Sequence, residues 1–308
     1  MITNRRIFVL CAILRPRVFV FSFQFNEKGE RDAKSIVDPH PDAHTLNNLP
    51  SNRSLMTLTI LKLGGSVLTE KTNVPTPKPE AIKRCAREIA SATTPGDADS
   101  SLILVHGAGS FGHPQAEEHD SPDGFSNFGI TEIHRTVASL NELVIGALIK
   151  SGIPAAPVHP LSCVVADDTR IVEILTAPIA MMLERGIVPV LHGDVVMDRG
   201  RGASIVSGDQ LVTYLAAQFG AARIGFGTAV DGVIVDDATI PLITPATFGS
   251  VRSQIHGSDG TDVTGGMLGK VLELLNIDMD SYIFDATKGG MVARFLSGEE
   301  LGTKIAKL

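Results

Sequence analysis

The sequence predicts an α/β protein in the form of an open αβα sandwich, in which helices cover both faces of a mostly parallel central sheet. From Thr57 onward, short apolar runs alternate with longer segments of helical periodicity, which is typical of parallel strands joined by helices. Two apolar runs, 58–61 and 102–105, lead into glycine-rich loops. Because ligands of open α/β sheets bind at the carboxyl ends of strands, these loops indicate the functional edge. A chain of 308 residues with 44% hydrophobic content can bury the core that this fold needs.

The first predicted elements precede the second glycine loop. An aliphatic run predicts a strand at 58–63. Three prolines between residues 75 and 79 indicate an irregular connection before a helix at about 80–92. A turn that begins at Pro95 then separates this helix from a strand at 101–105.

The longest predicted helix, at 129–151, occupies the middle of the chain and ends at Gly152. Its apolar side chains recur at three- and four-residue spacing: Ile130, Ile133, Val137, Leu140 and Val144. A strand at 155–158, a loop, a helix at 177–185 and a strand at 187–191 follow.

The C-terminal part continues the alternation. The sequence at 198–202 predicts a hairpin turn between two short strands, and Ser207 precedes a helix whose apolar face covers 211–219. The remaining predicted elements are strands at 222–226, 233–235, 281–284 and 303–305, and a helix from 265 to 275.

Composition excludes several classes of protein. The formal net charge of −7 argues against a general binder of nucleic acids or membrane surfaces. Cys11, Cys85 and Cys163 are far apart and lack metal or redox spacing, which favours a reducing compartment and predicts a cytoplasmic protein. The sequence has no Cys/His cluster and no His-Glu-x-x-His motif, so we predict no protein-held metal ion.

Residues 1–55 differ from the rest and form a predicted N-terminal extension to a domain at 56–308. Residues 1–26 contain four arginines and no acid, which is the pattern of a transit peptide, but their apolar pieces are too short to span a bilayer. A wrongly assigned start, with Met56 as the true first residue, is the favoured alternative to a leader. Residues 26–54 are polar and contain proline, so we expect poor order there.

The loop at 107–112 is predicted to bind phosphate. Its glycines satisfy the dinucleotide spacing G-x-G-x-x-G, but a polar loop at 117–124 replaces the short helix and second strand that this fingerprint requires. Successive backbone N–H groups in such a loop form an anion-binding site. The loop at 62–66 has the same character, and the two together predict two phosphate sites.

Two lysines are candidates for phosphoryl transfer. Lys62 ends a buried strand, where it either extends its ammonium group to solvent or supplies a fixed charge to a transferring phosphoryl group. Lys270 lies one turn inside a helix that begins with glycines, so its ammonium group and the helix dipole would face the same anion. Asp209, at a helix start, either caps that helix or pairs with both lysines.

The remaining polar candidates each have a simpler interpretation. Lys71 is by default a solvated loop lysine, and Asp231 either faces a nucleotide or makes a turn with Gly232. His106, directly after a strand, is expected to be structural and bonded to backbone, whereas His113 lies in the loop that would hold the second anion. Neither a Gly-x-Ser-x-Gly motif nor a P-loop is present, so phosphate binding must use another arrangement.

Together these motifs resemble those of the amino-acid kinase superfamily, and within it the isopentenyl phosphate kinases. The resemblance covers about residue 56 to the C-terminus. Its segments are LKLGGS at 61–66, VHGAGSFGHP at 105–114, HGD at 192–194, SGD at 207–209, TAVDG at 228–232 and TGGMLGK at 264–270. The histidine after the glycine loop separates this branch and the related fosfomycin kinases from kinases that act on carboxylates. Ala108 departs from the glycine found there in many members, although its backbone donor is retained.

The resemblance implies an amino-acid kinase fold and roles for individual residues. ATP would be held by Lys62, Gly64, Gly65, Ser66, Lys71, Gly109, Thr228, Asp231, Gly266 and Lys270. The acceptor would be held by Gly107, Ala108, His113, Gly208, Phe128 and Ile133, while Asp209 would organise the lysines. The implied reaction transfers a phosphoryl group from ATP to isopentenyl phosphate in isoprenoid biosynthesis, with Mg²⁺ bound mainly by the ATP phosphates and the enzyme a homodimer.

The chemistry of a phosphate acceptor explains this set of residues. A phosphate monoester has a second pKa of about 6, so it is mostly dianionic at pH 7 and needs no strong base. Two polyanions must instead be brought together by cations and donors, a role that suits His113. The short apolar tail is expected along one edge of the helix after the histidine loop, at Phe125, Phe128, Ile130, Ile133 and Val137.

Two alternatives stay open. In the first, the chain is another kinase of the superfamily that acts on fosfomycin, a nucleoside monophosphate or an amino-acid carboxylate. In the second, it is a non-catalytic nucleotide sensor with the same fold. Retention of Lys62, Lys71, Asp209 and Lys270 together argues against a sensor, because a sensor does not need groups for phosphoryl transfer.

Overall fold

The computed structural model describes residues 57–93, 100–119, 121, 124–255 and 266–306, together with the backbone of three strands nearer the N-terminus. It divides into two units, Met1–Ser54 and Leu55–Leu308. In the first unit, β1 (Phe8–Leu14) pairs antiparallel with β2 (Arg17–Phe25), which pairs antiparallel with β3 (Arg31–Asp32). Apart from β3, the poor order expected at 26–54 falls outside the described residues. Whether residues 1–55 are a leader or precede the true start stays a prediction.

The strands of the second unit are mostly short. In chain order they are β4 (Thr57–Leu63), β5 (Ser100–His106), β6 (Ala155–Pro157), β7 (Val164–Asp167), β8 (Arg170–Ile174), β9 (Val188–His192), β10 (Asp194–Asp198), β11 (Gly202–Val206), β12 (Arg223–Thr228), β13 (Ile234–Val235), β14 (Ala238–Thr239), β15 (Leu242–Ile243), β16 (Ser281–Asp285) and β17 (Thr303–Ile305).

The helices of the second unit alternate with these strands. They are α1 (Gly65–Leu68), α2 (Pro79–Ala92), α3 (His113–His119), α4 (Asn127–Lys150), α5 (Pro160–Cys163), α6 (Ala177–Glu184), α7 (Gly208–Phe219), α8 (Pro245–Val251), α9 (Gly266–Leu275) and α10 (Met291–Leu296). Two 3₁₀ turns lie at Gly109–Phe111 and Arg252–Gln254.

The central sheet has the strand order β15-β17-β16-β12-β4-β5-β9-β6. Its pairings are parallel except that between β16 and β17. The register aligns Lys62 with Val105 and His106 with His192, which places the ends of three neighbouring strands at one edge. This confirms the predicted α/β class with a mostly parallel sheet.

Helices cover both faces of the central sheet because its strands alternate their apolar side chains. On β5, Ile103 and Val105 belong to one core cluster, with α7 and α9, whereas Leu102 and Leu104 belong to the other, with α2, α4 and α10. Each face thus has its own buried core, as a three-layer sandwich requires.

A second sheet was not predicted. Its order is β11-β10-β7-β8, and the antiparallel β10–β11 pair forms the hairpin expected around 198–202. The segment between 159 and 176, predicted as loop, instead contains α5, β7 and β8. The turn between β7 and β8 has positive φ at Asp168 (45°) and Thr169 (69°). Such hairpin turns usually have the sequence Asn-Gly or Asp-Gly. Because Asp-Thr lacks the glycine, the sequence did not indicate a hairpin here.

A further difference concerns the segment after the second glycine loop. The sequence predicted a polar loop at 117–124, but α3 begins at His113 and continues to His119, so the first three residues of this stretch are helical. Proline is favoured in the first turn of a helix, and the Gln-Ala-Glu-Glu that follows it has high helix propensity.

Among the residues with described structure, no helix is long and apolar enough to cross a membrane.

Candidate active site

One large cavity opens at the carboxyl ends of β4, β5, β9 and β12, and has a volume of about 870 Å³. It brings together most of the residues predicted for the site. These are Lys62, Gly64, Gly65, Ser66, Lys71, Gly107, Ala108, Gly109, His113, Ile133, Gly208, Asp209, Thr228, Gly266 and Lys270. We refer to it below as the main cavity.

Asp209 lies between two lysines on the floor of the main cavity. Its Oδ1 is 2.5 Å from Lys62 Nζ and its Oδ2 is 2.5 Å from Lys270 Nζ. Lys62 and Asp209 are only 9% and 7% exposed, and both ammonium groups lie above the ring of Phe226. Of the two interpretations of Asp209, the structure has the one in which it pairs with both lysines; Ser207, not Asp209, caps α7 by accepting from Gln210 N.

Burial and charge shift the pKa values of this group in different directions. Burial is the largest influence on Lys62 and, with the repulsion from Lys270, lowers the pKa of Lys62 to about 8 despite Asp209. Burial also acts to raise the pKa of Asp209, but Lys270 and Lys62 outweigh it and hold that pKa well below its usual range. The group therefore carries a net positive charge at pH 7, which suits a bound polyphosphate.

The two glycine loops touch each other through their backbones. A Cβ atom placed on Gly65 would lie 2.5 Å from the amide nitrogen of Gly109, and one placed on Gly107 would lie 2.6 Å from that of Gly65. Such distances are shorter than real Cβ contacts, so any larger residue would push the loops apart. The two predicted phosphate sites are thus adjacent.

The loop that carries Lys71 is fixed to the second glycine loop at both ends. Ser110 N donates to Thr69 Oγ1 at 3.1 Å, and Thr76 N donates to Ser110 Oγ at 3.1 Å. Lys71 itself is exposed but lines the main cavity. These contacts could not be predicted from local patterns, because Thr69 and Ser110 are separated by 41 positions.

The two histidines flanking the second glycine loop have different surroundings. His113 is half-buried, begins α3 and lines the main cavity beside Ala108 and Gly208. His106 is fully buried and bonds to the carbonyl oxygen of Gly107 and to Asn141. The backbone contact expected for His106 is therefore present.

The apolar end of the main cavity is built by two elements that are distant in sequence. Ile133 and Val137 of α4 line it together with Ile205 of β11. Phe125 and Ile130 pack behind them against the same small cluster. The prediction that Phe128 lines this end is wrong: its side chain is 72% exposed and lies outside the cavity, because the helix turns it away from the sheet. Ile205 was missed because nothing in the sequence pairs β11 with α4.

Asp231, Thr264 and Gly265 belong to the two C-terminal motifs of the sequence, at 228–232 and 264–270. Asp231 does not line the main cavity; it is exposed and forms an ion pair with Lys288 instead. Thr264 and Gly265, which belong to the motif before Lys270, lie outside the described residues.

Asp194 is a buried residue to which the sequence assigned no role. Its Oδ2 accepts from His134 Nδ1 at 2.8 Å and from Leu161 N at 3.3 Å, so it joins β10 to α4 and α5. Asp194 and Gly193 both line the main cavity. The HGD motif could have drawn attention to them, but only the fold brings Gly193 close to Ala108.

Comparisons with known proteins agree with this geometry. The model of the amino acid kinase family matches residues 57–283. Isopentenyl phosphate kinase of Methanocaldococcus jannaschii is 39% identical over 80% of this chain and 98% of its own length. That of Haloferax volcanii is 41% identical over 81% of this chain and 99% of its own. A solved X-ray structure of isopentenyl phosphate kinase superposes with a TM-score of 0.67 at 33% identity, covering 80% of this chain and all of that one.

Proposed function

The chain belongs to the amino acid kinase family, and from that premise we propose that it transfers the terminal phosphoryl group of ATP to isopentenyl phosphate, giving isopentenyl diphosphate and ADP. The family model matches residues 57–283, and the similarity to the two isopentenyl phosphate kinases covers 80% and 81% of this chain and almost their full length. The observation that carries the proposal is the main cavity, which joins the Lys62–Asp209–Lys270 group to His113 and then to an apolar end.

The reaction is a displacement at the terminal phosphorus of ATP. An oxygen of the acceptor phosphate forms the new P–O bond, while the bond to the bridging oxygen breaks and ADP leaves with that electron pair. Because the acceptor is already mostly dianionic at pH 7, no group has to remove a proton. The protein acts by positioning the two phosphates and by neutralising their charge.

Each end of the main cavity has a separate task. Lys62, Lys270 and Lys71 bind the ATP phosphates, with the first two oriented by their shared carboxylate. His113 donates a hydrogen bond to the acceptor phosphate, and the backbone donors of Ala108 and Gly208 assist it. The hydrocarbon tail lies along Ile133, Val137 and Ile205.

The proposed reaction would use Mg²⁺ bound together with the nucleotide. Within the described part of the chain, no group of three or more His, Cys, Asp or Glu side chains is arranged to hold a metal ion, and Asp209 is engaged by two lysines. The ATP phosphates are then its main ligands, and when bound it supplies further positive charge at the transferring group.

The substrate assignment is tested with purified protein, ATP and Mg²⁺ by measuring ADP release with four acceptors: isopentenyl phosphate, fosfomycin, UMP and acetylglutamate. We expect kcat/KM for isopentenyl phosphate to exceed the others by at least about 100-fold, because only its tail matches the apolar end. A higher value for another acceptor would reassign the enzyme within the superfamily. Tight ATP binding without turnover on any acceptor would support the sensor alternative.

Assembly and location form a finer part of the proposal. We infer a homodimer, as the resemblance to this family implies, and a cytoplasmic enzyme, in keeping with cysteines that lack disulfide spacing. Sedimentation velocity of the purified protein and fractionation of the source cells test the two statements.

A further inference from the structure

His106 is a buried histidine that does not line the main cavity, yet it directly precedes the glycine loop. It is the last residue of β5 and is completely inaccessible to solvent. Its Nδ1 lies 3.0 Å from the carbonyl oxygen of Gly107, and its Nε2 lies 3.0 Å from Oδ1 of Asn141 on α4. Both ring nitrogens are therefore engaged, one by the loop and one by a helix.

The partners of His106 determine which of its nitrogens carries the proton. Burial lowers the pKa of His106, so the ring is neutral at pH 7 and has a single N–H. The Gly107 carbonyl can only accept, so this N–H is on Nδ1. Nε2 must then accept a hydrogen bond. If the Asn141 amide is turned so that its NH₂ group, rather than its oxygen, faces Nε2, it donates to Nε2. The same orientation gives a partner to Asn141 Nδ2, which otherwise has none among the described residues.

Fixing the Gly107 carbonyl also fixes the direction of the next N–H. In a planar trans peptide the C=O and N–H point to opposite sides, so the bond from His106 turns the Ala108 N–H away from the buried ring. Ala108 N has no hydrogen-bond partner in the part of the chain that the structure describes. A buried or half-buried N–H without a protein partner is a donor available to a ligand.

Gly193 lies opposite this donor. A Cβ atom placed on Gly193 would be 3.4 Å from the amide nitrogen of Gly208, 3.5 Å from the carbonyl oxygen of Val206 and 3.9 Å from the amide nitrogen of Ala108. Gly208 N belongs to the first turn of α7, where N–H groups have no acceptor within the helix. Two backbone amide nitrogens and the Val206 carbonyl oxygen therefore border the same space, which a side chain at residue 193 would fill.

The neighbouring strand repeats the arrangement. His192 is aligned with His106 in the sheet, and its Nδ1 lies 3.2 Å from the carbonyl oxygen of its own following glycine, Gly193. Gly193 N in turn donates to the carbonyl oxygen of His106 at 3.0 Å. The same His-Gly contact thus fixes both sides of the space between Ala108 and Gly193.

We propose that His106 is a positioning residue for the acceptor phosphate: its Nδ1–H holds the Gly107 carbonyl so that the Ala108 N–H donates to a phosphate bound beside Gly193. This inference rests on the proposed function, because it assumes that the acceptor is a phosphate. In this proposal His106 does not contact the substrate and acts only through the backbone, whereas His113 contacts the acceptor phosphate directly.

Two substitutions of His106 separate its two hydrogen bonds. The side-chain nitrogen of asparagine occupies nearly the position of Nδ1, whereas that of glutamine occupies nearly the position of Nε2. His106→Asn therefore keeps a donor for Gly107 O, and His106→Gln keeps only the contact to Asn141. We expect His106→Gln to raise the KM for isopentenyl phosphate at least about tenfold, while His106→Asn stays within about threefold of wild type. The KM for ATP should change in neither, and His119→Gln, outside the main cavity, serves as the control.

Ala108→Pro tests the donor itself. It removes the N–H, and the φ of −72° at Ala108 is one that proline adopts. We expect the same increase in acceptor KM, and no further increase when it is combined with His106→Gln, because both act through one N–H. Should His106→Gln fail to fold, as judged by its thermal unfolding, Ala108→Pro decides alone.

Three outcomes would overturn the inference: equal KM effects of His106→Asn and His106→Gln, an unchanged acceptor KM in Ala108→Pro, or multiplicative effects in the double variant. Failure of the proposed function is seen separately, since it would appear as absence of turnover of isopentenyl phosphate by the wild-type enzyme.

Discussion

Asp209 pairs with both lysines that the proposed reaction uses, Lys62 and Lys270. A buried ammonium group without a partner is costly, and here one carboxylate compensates two of them. Lys62 and Lys270 come from segments 147 and 61 positions away from Asp209, so neither could be held at the cavity by local structure. The excess positive charge that results is available to ATP.

Loss of the proton from Lys62 should limit activity at alkaline pH. The pKa of Lys62 is lowered to about 8, so below that pH the ammonium form attracts ATP, and as pH rises through it the charge is lost. We expect kcat/KM for ATP to fall above about pH 8. The pH profile of Lys62→Arg is the check: arginine does not titrate in this range, so its alkaline decline should disappear even though its maximum is lower. An identical decline in that variant would assign the titration to another group.

Removal of the His113 imidazole should abolish most phosphoryl transfer. His113 lines the main cavity, and in the proposed reaction its ring donates to the acceptor phosphate; loss of one such donor typically costs about 100- to 1,000-fold in kcat. We expect His113→Ala to show this loss with a Tm close to that of wild type. His119→Ala, a substitution at the other end of α3, is the matched control. A His113→Ala enzyme with the wild-type rate would remove His113 from the mechanism.

At the scale of elements, the two glycine loops act as one unit because their backbones are in contact. Gly109 has a φ of +55°, and a Cβ atom on it would lie 2.1 Å from Thr69 Oγ1. Both features exclude a side chain there without displacement of the Lys71 loop.

Gly109→Ala should therefore lower both stability and activity. A residue forced into the left-handed region costs about 1–3 kcal/mol, which corresponds to several degrees in Tm. Gly146→Ala, in the interior of α4 with open space around the added Cβ, is the control and should instead stabilise by about 1 kcal/mol. Differential scanning calorimetry of both variants measures the contrast; a stable, active Gly109→Ala enzyme would contradict it.

One edge of helix α4 lines the apolar end of the main cavity, where the proposed function places the tail of the acceptor. Ile133 is buried and lines the main cavity, whereas Phe128, five positions earlier, is exposed. We expect Ile133→Ala to raise the activity toward longer prenyl phosphates relative to isopentenyl phosphate, because it enlarges the apolar end. Phe128→Ala should leave the ratio unchanged. The measurement is kcat/KM for geranyl phosphate against isopentenyl phosphate, and an unaltered preference in Ile133→Ala would place the tail elsewhere.

At the scale of the whole molecule, the family similarity and the structured sandwich begin together. The family model matches from residue 57, and β4, in the middle of the central sheet, starts at Thr57. The site residues all lie within the second unit, Leu55–Leu308.

A chain that starts at Met56 should fold and retain full activity. Among the residues whose side chains are described, the core clusters on both faces of the sheet consist of residues after position 56, so we expect the free energy of unfolding not to depend on the extension. We expect kcat and KM within about twofold of those of the 308-residue chain. Insolubility or a large loss of activity in the shorter protein would show that the extension takes part in folding or catalysis.

The sequence by itself determined the α/β class, the order of most strands and helices and the two glycine loops. These follow from local patterns, in which apolar periodicity and glycine report directly on backbone geometry. It also indicated Lys62, Lys270 and His113, because charged or polar side chains next to buried strand ends and glycine loops have few structural explanations.

Only the tertiary structure decided which of those residues face one another. The pairing of Asp209 with two distant lysines, the approach of Ile205 to Ile133 and the outward turn of Phe128 depend on how elements far apart in sequence pack. The contact of His106 with the Gly107 carbonyl is local, but its consequence is not. It bears on the acceptor site only because the fold brings Gly193 and Gly208 to the other side of the same space.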